Sequence, residues 1–215
     1  MPKKIDHAAR RLELAEALWR LTRRDGWEAV SLRKVAAEAG VSMGMVQHYF
    51  TSKDEMLLFA LDMITEDTRA RIRSRIAELP QPHTPRRLVA TVLAEMLPQP
   101  ARRQTEIEAA SVFVRRFLLR PESAEELAAS NPDLRAFLTE QIRTHRASAA
   151  ATGGAATEDE TAERDAKGLI ALLDGLMLNI ANGALTSEIA FAILEAQLDH
   201  LFGCEPGDTK ASARG

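Results

Sequence analysis

The chain has 215 residues, 46% hydrophobic and 27% charged, which suits one or two folded domains and excludes a wholly disordered chain. Eleven Gly and nine Pro exclude collagen-like and low-complexity classes. The single Cys204 allows neither an internal disulfide nor a cysteine zinc site, and fits a reducing compartment. The best uncharged apolar stretch, 175–187, is too short to cross a membrane, and no apolar run follows Lys3 and Lys4 as it would in a secretory signal. A cytoplasmic protein with no membrane partner is therefore expected. The net charge of −3 is uneven: residues 1–53 carry ten Lys+Arg against six Asp+Glu, leaving −7 on the remainder. A basic head on an acidic body suggests that the head meets a polyanion.

No segment alternates cleanly as a strand would, so the chain reads as all-α with about nine helices. Ile5, Ala8, Leu12, Ala15, Trp19 and Thr22 recur at helical spacing, and Asp25-Gly26 ends that helix. Ser31 caps a short helix to Ala39, Gly40 makes a tight turn, and Ser42 caps another short helix to about Tyr49. Ser52-Lys53-Asp54-Glu55 reads as a capping box with Glu55 reaching back to Ser52, opening a long helix that Pro80 stops. Thr84-Pro85 starts a helix ending before Pro98. A helix over 101–119 follows, then a capping box at Ser123 to Glu126 and a restart or kink at Asn131-Pro132 that runs to about Ala150. After a small-residue loop, Thr157 opens a helix to Ala181, Asn182-Gly183 breaks it, and Thr186 starts a last helix to Phe202. The expected division is 1–53 as head, 54–203 as a larger helical body and 204–215 as a flexible tail.

Leu32 to Tyr49 fit a helix-turn-helix physically. Ala36 is small where two helices must cross, Gly40 supplies the turn, and Leu32, Val35, Val41 and Val46 give an interior face. The stretch from Ser31 to Leu57 resembles the DNA-binding head of the TetR family of transcriptional repressors. The matching residues are Val35-Ala36, Ala39 to Ser42, Gly44, His48-Tyr49-Phe50 and Ser52 to Glu55. The close match covers about residues 8–57; beyond it, length, helix count and an acidic helical body agree. Gln47 departs from the family, which usually has Tyr there.

The resemblance implies a recognition surface of Ser42, Met43, Gly44, Met45, Gln47, His48 and Tyr49. Gly44 would admit close backbone approach, and Met45 would touch a thymine methyl. Gln47 is the favoured base reader, while His48 and Tyr49 would hold phosphates. Arg33 would reach a base or phosphate. Lys53, at a helix N-terminus, would hold a phosphate. Lys3, Lys4, Arg10 and Arg11 form either a flanking arm or a disordered tail.

Two heads about 34–36 Å apart would read a palindrome in successive major grooves, so a homodimer is expected. Its candidate interface is Leu169, Ile170, Leu173, Leu176, Met177 and Ile180 on one helix and Ile189, Ile193, Leu194, Leu198 and Leu201 on the next. In the family, the body encloses a small-molecule effector site. Met63, Met96, Ile107, Val112, Phe113, Phe117 and Phe137 are its candidate lining here, or simply core. The expected function is a ligand-responsive regulator of double-stranded DNA, a repressor released from its operator by the effector. The long helix after Lys53 is the expected lever. No cofactor, metal or catalytic residue is expected: His7, His48, His83, His145 and His200 are scattered, with no HExxH and no phosphate loop. The alternative is a helical interaction module that keeps the fold without binding DNA.

Overall fold

A computed structural model describes residues 7–98, 132–149 and 155–203. Among them the fold is all-helical: α1 (His7–Asp25), α2 (Leu32–Glu38), α3 (Met43–Tyr49), α4 (Lys53–Glu78), α5 (Pro85–Met96), α6 (Pro132–Ala149), α7 (Ala155–Ala181) and α8 (Ser187–Phe202). A 3-10 turn, Trp27–Ala29, follows α1. The helix expected over 101–119, the box at Ser123 and the tail from Cys204 lie outside the described residues.

Side-chain caps set most starts. The hydroxyls of Ser31, Ser42, Ser52, Thr84 and Thr186 each accept the third backbone N–H of the helix that follows. At α4 the expected reciprocal bond is not made. Glu55 instead accepts from the hydroxyl and backbone N–H of Thr51, both at 2.7 Å, and these bonds hold its carboxyl below the usual range. Helix α7 opens at Ala155, two residues before the expected Thr157.

The buried residues form two clusters. The head cluster draws on α1 to α4, with Leu14, Leu18, Leu21, Val35, Val46, Phe50, Met56 and Leu57 fully buried. The face of α1 differs from the expected one: Ala15, Trp19 and Thr22 are buried, but Leu12 is 39% exposed and Ala8 is exposed. The buried stripe runs through Leu14, Leu18 and Leu21, because α2 and α4 pack on that side. Glu38 of α2 accepts from Arg24 at 2.9 Å and Arg20 at 3.0 Å, which ties α2 to α1.

The body cluster is an α5–α8 bundle against which Ile72 and Ile76 of α4 pack. Its ends are pinned by polar contacts. Arg86, only 6% exposed, donates to Asp199 at 2.6 Å and Glu195 at 2.8 Å, joining α5 to α8. The Ser187 hydroxyl donates to the Pro98 carbonyl at 2.8 Å at the other end of the same pair. Arg146 on α6 bonds Asp165 and Thr161 on α7.

Residues between α2 and α3 form a Schellman turn. Gly40 N–H donates to Ala37 and Val41 N–H to Ala36, with Gly40 at φ +67°. Nothing lies within 4 Å of a Cβ built on Gly40, so the backbone alone demands glycine there. Gly40→Ala should therefore lower stability by about 1 kcal/mol through conformational strain. Urea unfolding of the two proteins measures it; equal midpoints would refute the requirement.

Candidate nucleic-acid interface

Burial divides the short α3 into two sides. Val46 is fully buried and belongs, with Val35 and Ala36 of α2, to the head cluster. Ser42, Gly44, Gln47 and His48 are exposed, while Met43, Met45 and Tyr49 are half-buried. Arg33, in the first turn of α2, is exposed. The Schellman turn fixes this division, since it sets the crossing at which Val46 enters the core. The outward side of α3 thus carries an amide, an imidazole, a hydroxyl and a glycine, groups able to approach and hydrogen-bond a duplex edge.

Three contacts not foreseen from sequence order the edges of this surface. The Tyr49 hydroxyl is hydrogen-bonded to His7 Nδ1 at 3.1 Å, and the His48 ring meets Tyr49 edge-on at 5.0 Å between centroids. His7 thereby joins the start of α1 to the end of α3. The Lys53 ammonium donates to the Trp27 carbonyl at 2.7 Å and sits 4.0 Å from the centre of the indole. Lys53 is thus held at one place, half-buried, beside the first turn of α4. The Arg11 guanidinium lies 4.2 Å from the Phe59 ring centre and 5.0 Å from that of Phe50. Arg10 pairs with Glu13 in α1. Neither arginine belongs to a disordered tail, while Lys3 and Lys4 lie outside the described residues. No sequence signal marks the His7–Tyr49 or Lys53–Trp27 pairs, which are 42 and 26 residues apart.

The expected effector lining is not brought together among the described residues. Met63 packs on the head cluster, whereas Met96 and Phe137 pack on the body cluster. Ile107, Val112, Phe113 and Phe117 lie outside the described residues. An open cleft of about 540 Å³ between α5 and α8 is lined by Arg86, Arg87, Glu195 and Asp199 among others, and by none of the expected residues.

The expected self-association stripe is split. Leu169, Leu173, Leu176, Ile180, Leu194 and Leu198 are buried in the protomer's own core, so they offer no surface to a second copy. They face α5 and α6 because α7 and α8 are apolar on more than one side. Ile170, Met177 and Leu201 are half-buried against that core. Ile189 is 49% and Ile193 38% exposed, and Leu178, not foreseen, is 40% exposed. No group of metal-ligating side chains occurs among the described residues, and no helix there is long and apolar enough to cross a membrane.

Comparison with known proteins gives consistent results. Residues 85–203 match the family model for the BetI-type transcriptional repressor C-terminal domain, and residues 14–59 match the model for bacterial regulatory proteins of the tetR family. The HTH-type transcriptional regulator PksA of Bacillus subtilis (strain 168) is 41% identical over 99 residues, 46% of each chain. The HTH-type transcriptional regulator BetI of Escherichia coli (strain K12 / DH10B) is 33% identical over 92 residues, 43% of this chain and 47% of BetI. The matched segments span about half the length of these relatives. A solved transcriptional regulator from Rhodococcus sp. RHA1 is 28% identical with a TM-score of 0.70, over 91% of this chain and 99% of that one. The Thermus thermophilus FadR structure in complex with lauroyl-CoA shares the fold: 18% identity and a TM-score of 0.57, over 95% and 99% of the two chains.

The bond from Lys53 to Trp27 is part of the head's stability as well as its surface. Lys53→Met should lower unfolding free energy by about 1 kcal/mol, the net worth of one hydrogen bond. Chemical denaturation followed by tryptophan fluorescence measures it, and an unchanged midpoint would show that the contact adds nothing.

Proposed function

The chain belongs to the TetR family of transcriptional regulators, and from that premise we propose that it is a homodimeric repressor of a palindromic operator, released by a small-molecule effector. The observation that carries the reading is the outward side of α3: Ser42, Gly44, Gln47 and His48 lie exposed while Val46 is fully buried beneath them. That surface fits the major groove, with Gln47 able to form paired hydrogen bonds to an adenine edge. Arg33, His48, Tyr49 and Lys53 flank it as phosphate contacts, and Met43 and Met45 fill the space between core and groove. Trp27 holds the Lys53 ammonium in one place at the edge of this surface, so a phosphate docking there would meet a fixed positive charge.

One head of this size reads only a few base pairs, so a second copy supplies the other half-site. Leu178, Ile189 and Ile193 are the large apolar side chains left exposed on α7 and α8 among the described residues, and they are the proposed centre of the contact between copies. The effector belongs in the body. An effector that favours a dimer with wrongly spaced heads weakens operator binding, and by linkage the operator weakens effector binding by the same factor.

The direct test is a binding titration of the full chain against duplex DNA from the region upstream of its own gene, over a series of salt concentrations. A shift with the stoichiometry of one dimer per site, weakening steeply with salt, supports the reading. Lys53→Gln removes one phosphate contact from each copy of the dimer and should reduce the salt slope by about two. No shift at any salt concentration, with the chain folded, would leave the interaction-module alternative. Gly44 adds a discriminating variant. It lies inside α3, and a methyl added there would have only the Ser42 hydroxyl nearby, at 4.0 Å, so Gly44→Ala should raise helix stability by about 0.5–1 kcal/mol. The same methyl would stand between α3 and the groove, so operator affinity should fall. Stability and affinity rising together would remove Gly44 from the interface.

A further inference from the structure

Helix α4 is held very differently at its two ends. At the head end Met56, Leu57 and Ala60 are fully buried, and Leu61, Met63 and Ile64 pack behind them. From Thr65 to Ala70 no side chain is buried and none packs on either cluster. At the body end only the half-buried Ile72 and Ile76 meet the body cluster. Beside them lies Glu95 of α5, 7% exposed and, with Arg86, one of two buried charged side chains among the described residues. Glu95 accepts from α4 twice, from Arg71 Nε at 3.3 Å and from Arg75 Nε at 3.4 Å. Arg71 is itself steadied by Asp67 and by the Thr68 hydroxyl at 2.8 Å.

We infer that Glu95 is a positioning residue for DNA binding, whose paired bonds to Arg71 and Arg75 fix the angle at which α4 leaves the body and so aim the head. Two bonds one helical turn apart resist both tilt and axial rotation, which one bond or a smooth apolar contact would not. Carboxylate and guanidinium make directional hydrogen bonds, whereas Ile72 and Ile76 can slide. Burial sharpens the constraint, since a carboxylate out of water has no solvent to take the place of a lost partner. Leverage makes the angle matter. Arg71 is about 27 Å along the helix from Lys53, so a tilt of about 5° at the clamp moves the head end by about 2 Å. With two heads the error doubles, against half-sites set at a fixed helical repeat.

The inference rests on the regulatory reading for its consequence, while its mechanical part can be measured without DNA. Nitroxide labels are placed on exposed head and body positions, Ala37→Cys and Ala136→Cys, in a Cys204→Ser background. Labelled chain is mixed with excess unlabelled chain so that pulsed EPR reads distances within one protomer. The parent should give one narrow distribution. Glu95→Gln, which keeps the shape and removes the charge, should broaden or shift it by several ångströms, as should Arg71→Gln with Arg75→Gln, on more exposed positions that tolerate change. Glu140→Gln, which removes the exposed pair with Arg143, should leave it alone. In the upstream-DNA titration Glu95→Gln should bind about tenfold more weakly, with a melting temperature close to that of the parent. Distributions for Glu95→Gln and the double variant that superimpose on the parent would overturn the inference. So would an affinity that falls only in step with thermal stability. If the parent itself fails to bind DNA, the regulatory reading falls, and with it the consequence for binding; the EPR comparison then decides the mechanical part by itself.

Discussion

The positive φ of Gly40 is the constraint on which the head depends. It lets the chain reverse within a Schellman turn, so that α3 crosses α2 where Ala36 leaves room and Val46 can enter the core. Once Val46 is committed, the positions of Gly44, Gln47 and His48 follow from helical geometry, because they lie on the remaining sides of a seven-residue helix, and Ser42 is placed by capping its first turn. The exposed polar side of α3 is therefore a product of packing. Phe50, fully buried just after α3, fixes the corner into α4 and carries Arg11 on its ring. Trp27 and His7 then hold Lys53 and Tyr49 from outside the helix pair.

The body is organised by another kind of contact. Its apolar cluster supplies the bulk of burial, but a bundle of Leu-rich helices has many nearly equivalent packings. Arg86 with Asp199 and Glu195, Ser187 with Pro98, and Arg146 with Asp165 select one register, because each bond forms in only one alignment.

Local features were legible in the sequence, and distant ones were not. Ser31, Ser42, Ser52, Thr84 and Thr186 cap their helices as expected, since a cap and its acceptor site lie within one turn. The turn at Gly40 and the break at Gly183 likewise follow from backbone preferences of single residues. The face of α1 was ambiguous because Ala and Leu supply two overlapping stripes, and only the partners α2 and α4 decide between them. For the same reason Leu173 and Leu198, apolar and correctly spaced, read as a contact surface although the protomer buries them itself. Glu55 meeting Thr51 in place of Ser52, Lys53 meeting Trp27, and His7 meeting Tyr49 depend on side-chain reach and tertiary approach, which spacing does not encode.

The unburied stretch from Thr65 to Ala70 joins two separately packed clusters by a single helical strand. A continuous helix transmits phase as well as distance: each residue advances about 1.5 Å and turns about 100°. One residue inserted there would leave both clusters intact yet swing the head around by over a quarter-turn. Removing four residues would bring the heading back to within about 40° while shortening the neck by about one turn. The number of residues in this neck therefore sets the heading of the head as well as its reach.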